Sequence, residues 1–369
     1  MGVRIKWSRI MIEISGKYTK ANILIDNVEP GVIKQVQFLC NHPLFEDKRI
    51  VIQPDTHVGK ATVIGLCTEI DTLHLIPQLL GTDIGCTITA FEIKGKENDY
   101  SKLDKIVKEL KVPRNNIADK LVENICKRNN LNAHSYYNNW GTIGSGNHFI
   151  SVEQGENKYL IIHSGSRTLG KDVAIRYSQL ALQQNLYKGG EEKQLSWLNE
   201  DSSIEYQKDF VDLQYWVYLN QQEIAETICK QMKWKIQDEI KCPHNFIDLE
   251  HKILHKGSIK LFPGYLGIVP INMADGTFIV RGFHSIKYEQ NLYSAPHGAG
   301  RLLKRADAKE QLDMKEFKQR MKNIYCSNVT IGNIDESPMA YKPIEDIKNA
   351  IEPYCEIIDH LIPVYNYKN

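Results

Sequence analysis

The sequence has no excess of charge of either sign and no long apolar run. Its 46 lysines and arginines nearly balance its 45 aspartates and glutamates, which leaves a net charge of +1. Binding to nucleic acid would therefore depend on a local basic patch. No apolar run approaches the roughly 20 residues that cross a bilayer, and the N-terminal residues lack the apolar core of a signal peptide. We expect a cytoplasmic protein that does not associate with membranes.

Closely spaced cysteines are also absent. The eight cysteines form no C-x-x-C pair, and a chain of 369 residues can bury a core without disulfides. We interpret five of them as reduced core residues: Cys40, Cys67, Cys126, Cys229 and Cys355. Seven isolated histidines are interpreted as surface residues without a role: His42, His74, His134, His251, His255, His284 and His360.

The order of the apolar patterns predicts the fold class. We find no internal repeat and no βαβ alternation, which favours an α+β fold. We expect one large domain over residues 1–369, with mixed or antiparallel sheets whose loops carry the site and with flanking helices. Its main helical excursion covers roughly residues 171–240, from two helical patterns over 171–186 and 203–240. The same periodicity predicts a basic helix over residues 301–323 and a final helix over 344–361, whereas residues 3–15 and 20–26 are expected to form strands.

One stretch carries an unusual combination of residues, namely His297-Gly298-Ala299-Gly300-Arg301. Small residues let backbone N–H groups approach a ligand closely, and an arginine fork can bind two phosphate oxygens. His297 is therefore either a nucleophile or ligand beside a phosphate pocket or a surface residue of a tight turn.

Five other residues follow or precede apolar strands in small-residue loops. They are a carboxylate, a thiol and three imidazoles, which together suit a transition metal: Asp83, Cys86, His148, His163 and His244. If the thiolate serves two ions, the set forms a binuclear site. Ligand softness alone favours zinc.

Several neighbouring residues allow two interpretations. Asp55 and His57 either orient the metal ligands or hydrogen bond within their own loop. Asn147 either caps its turn or donates to a phosphate beside His148. The lysines and arginines between Arg301 and Lys322 form either a solvated face or a patch that binds a nucleic-acid backbone.

Six motifs in order resemble RtcB-type tRNA-splicing RNA ligases, and the resemblance spans essentially the whole chain. The motifs are Pro54-Asp55-Thr56-His57-Val58-Gly59, Asp83-Ile84-Gly85-Cys86, Gly144-Ser145-Gly146-Asn147-His148-Phe149, His163-Ser164-Gly165-Ser166-Arg167, His244-Asn245 and His297-Gly298-Ala299-Gly300-Arg301. Asp335-Glu336, Ala340-Tyr341-Lys342 and the penultimate Lys368 are similar to that family's C-terminus.

The resemblance implies a three-step reaction. His297 would attack the α-phosphate of GTP and hold GMP, which would pass to an RNA 3′-phosphate. A 5′-hydroxyl would then displace GMP, and a 2′,3′-cyclic phosphate would first be opened. Two Mn²⁺ ions are implied, one held by Asp83, Cys86 and His148, and the other by Cys86, His163 and His244.

The resemblance also implies a nucleotide pocket. Its residues would be Asn147, His148, Phe149, Ile150, Ser151, His244, Asn245, Pro270, Ile271, Asn272, Met273, Thr277, His297, Gly298, Ala299, Gly300, Tyr341 and Lys368. Four further residues would support the metal ligands or contact RNA: Asp55, His57, Arg167 and Arg301.

The pocket is where this sequence departs from the family's pattern. Ser151 replaces a glutamate that contacts guanine, and Glu153 lies one step further along the same face of the predicted strand. Asn272 and Thr277 stand where serines are usual. The resemblance therefore implies nucleotidyl transfer more firmly than strict GTP specificity.

The expected activity is a GTP- and Mn²⁺-dependent RNA ligase that repairs broken tRNA or rRNA, with the need for an archease-like activator left open. Two alternatives are kept. One is a metal-dependent enzyme that activates 3′-phosphates without sealing them. The other is a non-catalytic protein that binds RNA ends.

Overall fold

Two large β-sheets dominate the structure, a computed structural model that describes residues 11–184, 193–284 and 290–368. Strands and helices follow one another in irregular order, and the larger sheet is antiparallel throughout. The α+β class expected from the sequence is therefore confirmed.

The described strands are short except for the last one. In chain order they are β1 (Ile12–Ser15), β2 (Lys20–Ile23), β3 (Ile50–His57), β4 (Ile64–Glu69), β5 (Thr87–Lys94), β6 (Phe149–Gln154), β7 (Lys158–Ser164), β8 (Lys235–Pro243), β9 (Asn245–Asp248), β10 (Ile253–Lys256), β11 (Ser258–Lys260), β12 (Leu266–Asn272), β13 (Gly276–Gly282), β14 (Ser294–Pro296) and β15 (Cys355–Lys368).

The smaller of the two sheets has six strands in the order β1-β2-β3-β4-β10-β9. β2 and β3 run parallel, with Ala21 paired to Ile50, and the other neighbours are antiparallel. Strand β3 is buried over almost its whole length. Its C-terminal part therefore places Asp55 and His57 inside the molecule rather than on a surface loop.

The larger sheet has seven strands in the order β12-β13-β15-β6-β7-β5-β8. Because all its neighbours are antiparallel, the starts of β6 and β5 lie at the same edge as the ends of β7 and β8. The register shows this directly, since His163 pairs with both Phe149 and Ile88. Strands β11 and β14 pair separately, and His297 directly follows β14.

Helices cover the outer faces of the sheets. They are α1 (Pro30–Cys40), α2 (Pro77–Leu80), α3 (Tyr100–Lys108), α4 (Asn116–Asn129), α5 (Arg167–Gln184), α6 (Glu200–Met232), α7 (Arg305–Gln311), α8 (Met314–Arg320) and α9 (Ile344–Ile351), with short 3₁₀ turns at Pro43–Phe45, Ala133–Ser135, Tyr137–Asn139, Lys193–Leu195, Ile331–Glu336 and Pro338–Ala340. None of the helices in the described ranges has both the length and the apolar character that a membrane span requires.

Helix α6 connects the two sheets. Its first half places Leu213 and Trp216 in an apolar cluster against the six-stranded sheet. Its second half places Ile224 and Ile228 in a separate cluster against the seven-stranded sheet. The side chain of Asn199 caps the helix by accepting from the Ser202 amide. This one helix therefore packs in both of the apolar clusters that support the two sheets.

The helical excursion expected over residues 171–240 ends earlier than the sequence pattern indicated. Lys233 adopts a left-handed φ of 55° after Met232, and β8 then runs antiparallel to β5 at the edge of the sheet. The error has a simple cause, because Ile236 and Ile240 lie four residues apart. This spacing places both on one face of either a helix or a strand. The last residues of the expected segment 171–186 lie outside the described ranges.

Two further helix predictions were wrong in part. The final helix ends at Ile351, because Pro353 follows and the rest of the expected helix belongs to β15. Residues 301–323 form two short helices, α7 and α8, instead of one, and Asp313 caps the second by accepting from the Lys315 amide. Of the strand expected over residues 3–15, only its C-terminal part lies in the described residues, as β1.

Two histidines that were interpreted as surface residues are buried. His42 is 0% and His255 is 1% exposed. The Nε2 atom of His42 lies 3.1 Å from the Leu195 carbonyl, and His255 stacks on Phe246 at 4.6 Å between ring centroids. Burial lowers the pKa of His42 to about 4 and that of His255 to about 3, so both rings pack as neutral groups. The five cysteines interpreted as core residues are all buried and free.

The C-terminal strand gives a test of the fold. Leu361 is fully buried in β15, whereas its neighbour Ile362 is 47% exposed. We expect Leu361→Ala to lower the free energy of unfolding by about 2–5 kcal/mol. The matched variant Ile362→Ala should lower it by less than about 1 kcal/mol. Urea unfolding measures both, and equal losses would contradict the alternating burial of this strand.

Candidate functional site

The candidate site lies at the shared edge of β5, β6, β7 and β8. Cys86 directly precedes β5, and His148 directly precedes β6. His163 is the penultimate residue of β7, and His244 directly follows β8. Antiparallel pairing alone therefore brings four predicted metal ligands from distant parts of the chain to one place.

The ligand atoms of these residues face one another around the thiol. Cys86 Sγ lies 3.4 Å from His148 Nε2 and 3.2 Å from His163 Nε2. His163 Nε2 in turn lies 3.3 Å from His244 Nε2. The donor atoms of Cys86, His148 and His163 all lie within 4.8 Å of one another. A thiol surrounded by imidazole nitrogens is a donor set that suits a transition metal.

Asp83 completes the cluster from the loop before β5. Its Oδ2 lies 3.1 Å from His148 Nε2. The side chain of Asn245 donates to the Asp83 carbonyl at 3.1 Å, and the Gly85 amide donates to the Asn245 carbonyl at 2.8 Å. Gly165 is required here, since an added Cβ would lie 1.9 Å from Asp83 Oδ1. The loop is therefore held in place by neighbours on both sides.

The second nitrogens of two histidines face backbone carbonyls. His163 Nδ1 lies 3.1 Å from the Asn147 carbonyl, and His244 Nδ1 lies 3.3 Å from the Cys242 carbonyl. A carbonyl only accepts, so these rings donate from Nδ1 and keep the Nε2 lone pair directed at the cluster. This is the tautomer that a metal ligand needs. The guanidinium of Arg167 lies 3.3 Å from His148 Nδ1.

The electrostatics of the cluster also fit a bound cation. Burial and the neighbouring imidazoles hold the pKa of His163 well below its ordinary value, and burial lowers the pKa of His244 to about 3. Burial, together with the Asp83 carboxylate, raises the pKa of the Cys86 thiol. The imidazoles are therefore neutral and able to coordinate, and a metal would displace the thiol proton.

His297 lies beside this cluster and is held by a buried carboxylate. Its Nδ1 lies 2.7 Å from Asp55 Oδ2, and Asp55 is 0% exposed. The rings of His297 and His244 are 5.0 Å apart between centroids. Gly300 has a φ of +72°, and a Cβ there would lie 2.4 Å from the Asp55 carbonyl oxygen. The Asp55 carboxylate thus contacts His297, a partner that neither interpretation of Asp55 had named. His57 Nδ1 lies 3.2 Å from the Asp55 carbonyl.

A cavity of about 330 Å³ opens beside these groups, a volume in the range of small-molecule sites. Of the residues expected to form a nucleotide pocket, fifteen line it: Asn147, Phe149, His244, Asn245, Pro270, Ile271, Asn272, Met273, Thr277, His297, Gly298, Ala299, Gly300, Tyr341 and Lys368. Ile150 instead packs in the apolar cluster on the opposite face of the sheet, because neighbouring residues of a strand alternate. Ser151 is fully buried and donates to Glu153.

On another part of the cavity wall, the Glu336 carboxylate is surrounded by basic side chains. This glutamate is 3% exposed and forms ion pairs with Lys368, Arg301 and Arg305. The Tyr341 hydroxyl donates to it at 2.5 Å. Arg301 also donates to the Asp335 carbonyl at 2.5 Å. Arg301 therefore has internal partners, but it also lines the cavity, and its expected contact with phosphate or RNA stays a prediction.

The basic segment between Arg301 and Lys322 divides into two parts. Arg305 and Lys309 join Arg301 in pairing with Asp335. Lys315, Lys318, Arg320 and Lys322 are exposed. Glu153, Asn366 and Arg305 line the cavity although none of them was placed among the expected pocket residues, and only Glu153 had been noted beside Ser151. Glu153 and Asn366 were detectable in principle, since each lies two residues from a predicted pocket residue, Ser151 and Lys368, on the same face of its strand.

Comparison with known proteins agrees with this geometry. A family model described as tRNA-splicing ligase RtcB matches residues 35–135 and 114–369. The RNA-splicing ligase RtcB of Escherichia coli strain K12 is 27% identical over 372 residues, covering 84% of this chain and 88% of that protein. The RNA-splicing ligase RtcB2 of E. coli strain ATCC 25922 is 26% identical, covering 93% of each chain. The tRNA-splicing ligase RtcB of Nanoarchaeum equitans is 24% identical, covering 81% of this chain and 83% of that protein.

The family match covers well over half of the chain and includes every residue of the thiol–imidazole cluster as well as His297. The chain therefore belongs to the RtcB family of tRNA-splicing ligases.

Proposed function

We propose that this protein is a GTP- and Mn²⁺-dependent RNA ligase that joins a 3′-phosphate or 2′,3′-cyclic phosphate end to a 5′-hydroxyl end through a histidine–GMP intermediate. One observation supports it above the others. His297 is held by the buried Asp55, lies against the thiol–imidazole cluster and lines a cavity of ligand size. A nucleophile, its orienting carboxylate and a metal-binding donor set therefore meet at one point.

Asp55 prepares His297 for attack on phosphorus. The carboxylate accepts from Nδ1–H, which leaves the lone pair on Nε2 free to act as the nucleophile. When Nε2 forms its bond to the α-phosphorus of GTP, pyrophosphate leaves and the ring becomes positively charged. The negative charge of Asp55 then stabilises the ring, as a carboxylate does beside other catalytic histidines.

The GMP group then moves to RNA. The Nε2–P bond breaks as an oxygen of the RNA 3′-phosphate bonds to the α-phosphorus. A 5′-hydroxyl next attacks the activated 3′-phosphorus and releases GMP. The backbone amides of Gly298, Ala299 and Gly300 can approach phosphate oxygens closely. Asn147 lines the same cavity and supplies an amide donor.

The residues that would hold the metal are those that the family resemblance implies, and the distances within the cluster are compatible with them. Asp83, Cys86 and His148 would bind one ion, and Cys86, His163 and His244 the other, with the thiolate shared. Two divalent ions would neutralise the negative charge of the reacting phosphates. Sulfur and imidazole donors alone favour zinc, so the choice of manganese rests on membership of the family.

The proposal also includes a physiological role and a cellular compartment. Repair of cleaved tRNA or rRNA in the cytoplasm fits a centre that needs a reduced thiol, and all eight cysteines of the chain are free. The exposed Lys315, Lys318, Arg320 and Lys322 offer contacts to an RNA backbone. An archease-like activator is compatible with this scheme. If one acts on this protein, adding it should increase the rate at which His297 is labelled with GMP.

The nucleophile assignment predicts where GMP becomes attached. With Mn²⁺ and GTP labelled at the α-phosphate, we expect one acid-labile label per active chain and none on His297→Ala. The matched control His360→Ala changes a histidine outside the cavity and should label normally. The measurement is label retained on denatured protein. Label on His297→Ala would refute the assignment, and labelling without joined RNA would favour an enzyme that only activates 3′-phosphates.

The orienting role of Asp55 predicts a kinetic defect. Asp55→Asn keeps the shape of the side chain but removes the charge that stabilises the ring. We expect the rate of self-labelling to fall on the order of 100-fold or more, with little change in GTP affinity. Single-turnover labelling at saturating GTP measures the rate. Asp248→Asn, which alters a buried carboxylate outside the cavity, is the control, and an unchanged rate in Asp55→Asn would contradict the role.

The shared thiolate predicts a defect in metal binding. Cys86→Ser should weaken the binding of both Mn²⁺ ions by about tenfold or more, because a hydroxyl is a poor substitute for a bridging thiolate. Cys67→Ser changes a buried cysteine in β4 and should bind metal normally. Equilibrium dialysis gives stoichiometry and affinity without any activity assay. Unchanged binding of both ions to Cys86→Ser would remove the bridging ligand from the scheme.

A further inference from the structure

His57 presents a nitrogen lone pair at the wall of the cavity. It is the last residue of β3, it is half-buried, and it lines the cavity that His297 also lines. Its Nδ1 lies 3.2 Å from the Asp55 carbonyl. A carbonyl only accepts, so Nδ1 carries the proton and Nε2 carries the lone pair. Within the ranges that the structure describes, Nε2 makes no hydrogen bond, so it is available as an acceptor.

The chain that follows His57 is held by a side chain of α1. Gln35 donates to the Gly59 carbonyl at 2.7 Å and accepts from the Gly59 amide at 3.2 Å. A Cβ at Gly59 would lie 2.1 Å from the Thr62 carbonyl oxygen, so the turn is closely packed. His57 pairs with Ile64 across this turn. The imidazole is therefore carried by a firmly held backbone, as a catalytic group requires.

The same backbone places His57 beside the proposed nucleophile. Asp55 accepts from both rings, with its carbonyl oxygen from His57 Nδ1 and with its carboxylate from His297 Nδ1. A Cβ on Gly257 would lie 2.4 Å from Ile64 Cγ2 and 3.1 Å from His297 Cε1. The strand partner of His57 and the His297 ring therefore lie on either side of Gly257. One residue, Asp55, thus orients two imidazoles at one end of the cavity.

The other imidazoles on the cavity wall have different tasks. Four of the described histidines line the cavity. The Nε2 atoms of His163 and His244 lie 3.3 Å apart in the thiol–imidazole cluster, and Nε2 of His297 would carry GMP. His57 is the fourth. Burial lowers its pKa, and the contact with Asp55 only partly opposes this effect, so the ring is neutral and able to accept a proton.

The proposed reaction needs a base in two of its steps and not in the others. His297 attacks the α-phosphorus with a lone pair, and the RNA 3′-phosphate attacks with an oxygen that carries no proton. The 5′-hydroxyl, in contrast, must lose a proton when it attacks the 3′-phosphorus, and so must the water that opens a 2′,3′-cyclic phosphate. A positioned base typically accelerates such a step by about 10²–10⁴-fold.

We propose that His57 is the catalytic base that takes the proton from the oxygen attacking the RNA 3′-terminal phosphorus. The inference rests on the proposed function, since it takes the cavity to bind the RNA ends. In the joining step the 5′-oxygen bonds to phosphorus, its proton moves to His57 Nε2, and the bond from that phosphorus to the GMP oxygen breaks. The proton then passes to water. When water opens a cyclic phosphate, its proton moves to the same nitrogen, and the departing 2′-oxygen takes up a proton from solvent.

Joining of a preformed activated strand isolates the step assigned to His57. The probe is an RNA whose 3′-phosphate already carries GMP, mixed with a 5′-hydroxyl strand, Mn²⁺ and the full chain. His57→Asn keeps a donor at the position of Nδ1 but has no nitrogen at the position of Nε2. We expect the single-turnover joining rate to fall about 100-fold or more, while self-labelling with GTP stays within about threefold of the wild-type rate. Opening of a 2′,3′-cyclic phosphate should be slowed to a similar degree as joining.

A strand that ends in a 5′-thiol separates proton transfer from a structural role. A thiol has a pKa of about 8.5, far below that of an alcohol, so it reacts as the thiolate without a base. For this strand we expect His57→Asn to lower the joining rate by less than about threefold. A side chain that only shapes the site would slow both strands equally, so equal losses would overturn the proposal. Joining of the 5′-hydroxyl strand by His57→Asn at the wild-type rate would also overturn it.

The control and the remaining outcomes separate this inference from the proposed function. His74→Asn changes a histidine whose Nδ1 lies 2.7 Å from Asp71 outside the cavity, and it should join both strands at the wild-type rate. Loss of self-labelling in His57→Asn would refute the role as a base. A wild-type chain that labels His297 but joins neither strand would overturn this inference and leave the first step of the proposed function in place. A wild-type chain that neither labels nor joins would overturn both.

Discussion

The packing of four ligand groups around one buried thiol is the constraint on which the rest of the site depends. Cys86 contacts two imidazole nitrogens within 3.4 Å, and a third imidazole lies 3.3 Å from one of them. Like donor groups cannot stay this close in a buried place if they are charged, and lone pairs that face one another repel. Burial first, and then the neighbouring imidazoles, lowers the pKa values of His163 and His244. A cation bound at the centre would accept the lone pairs of all these donors at once.

The surrounding structure shows how buried charge is balanced around this centre. Asp55 is fully buried and bonds His297, while Lys342 donates to the neighbouring Pro54 carbonyl and lies near enough to interact with the carboxylate. Glu336 is buried among Lys368, Arg301 and Arg305. Each buried carboxylate of this group therefore has a hydrogen-bonded partner, which is the condition for keeping a charge in the interior.

The sequence predicted the fold class and named the residues of the thiol–imidazole cluster, because these features depend on residue type and on local spacing. It could not predict β8 or β15. Ile236 and Ile240 fit a helix and a strand equally well, and the pairing that selects the strand comes from β5, more than 140 residues earlier in the chain. The buried positions of His42 and His255 were missed for the same reason, since burial depends on packing between distant segments. The donor atoms limit which metals could bind but do not identify the metal or the nucleotide. The choice of Mn²⁺ and of GTP therefore stays a proposal.

The C-terminal strand β15 contributes both to the larger sheet and to the cavity wall. This last strand lies inside the seven-stranded sheet, between β13 and β6, instead of at an edge. It carries Asn366 and Lys368 into the cavity, opposite residues 149–153 of β6. Pairings that close such long loops carry the largest entropic cost and depend on the rest of the sheet. The same strand that joins β13 to β6 therefore also supplies part of the cavity wall and the lysine that pairs with the buried Glu336.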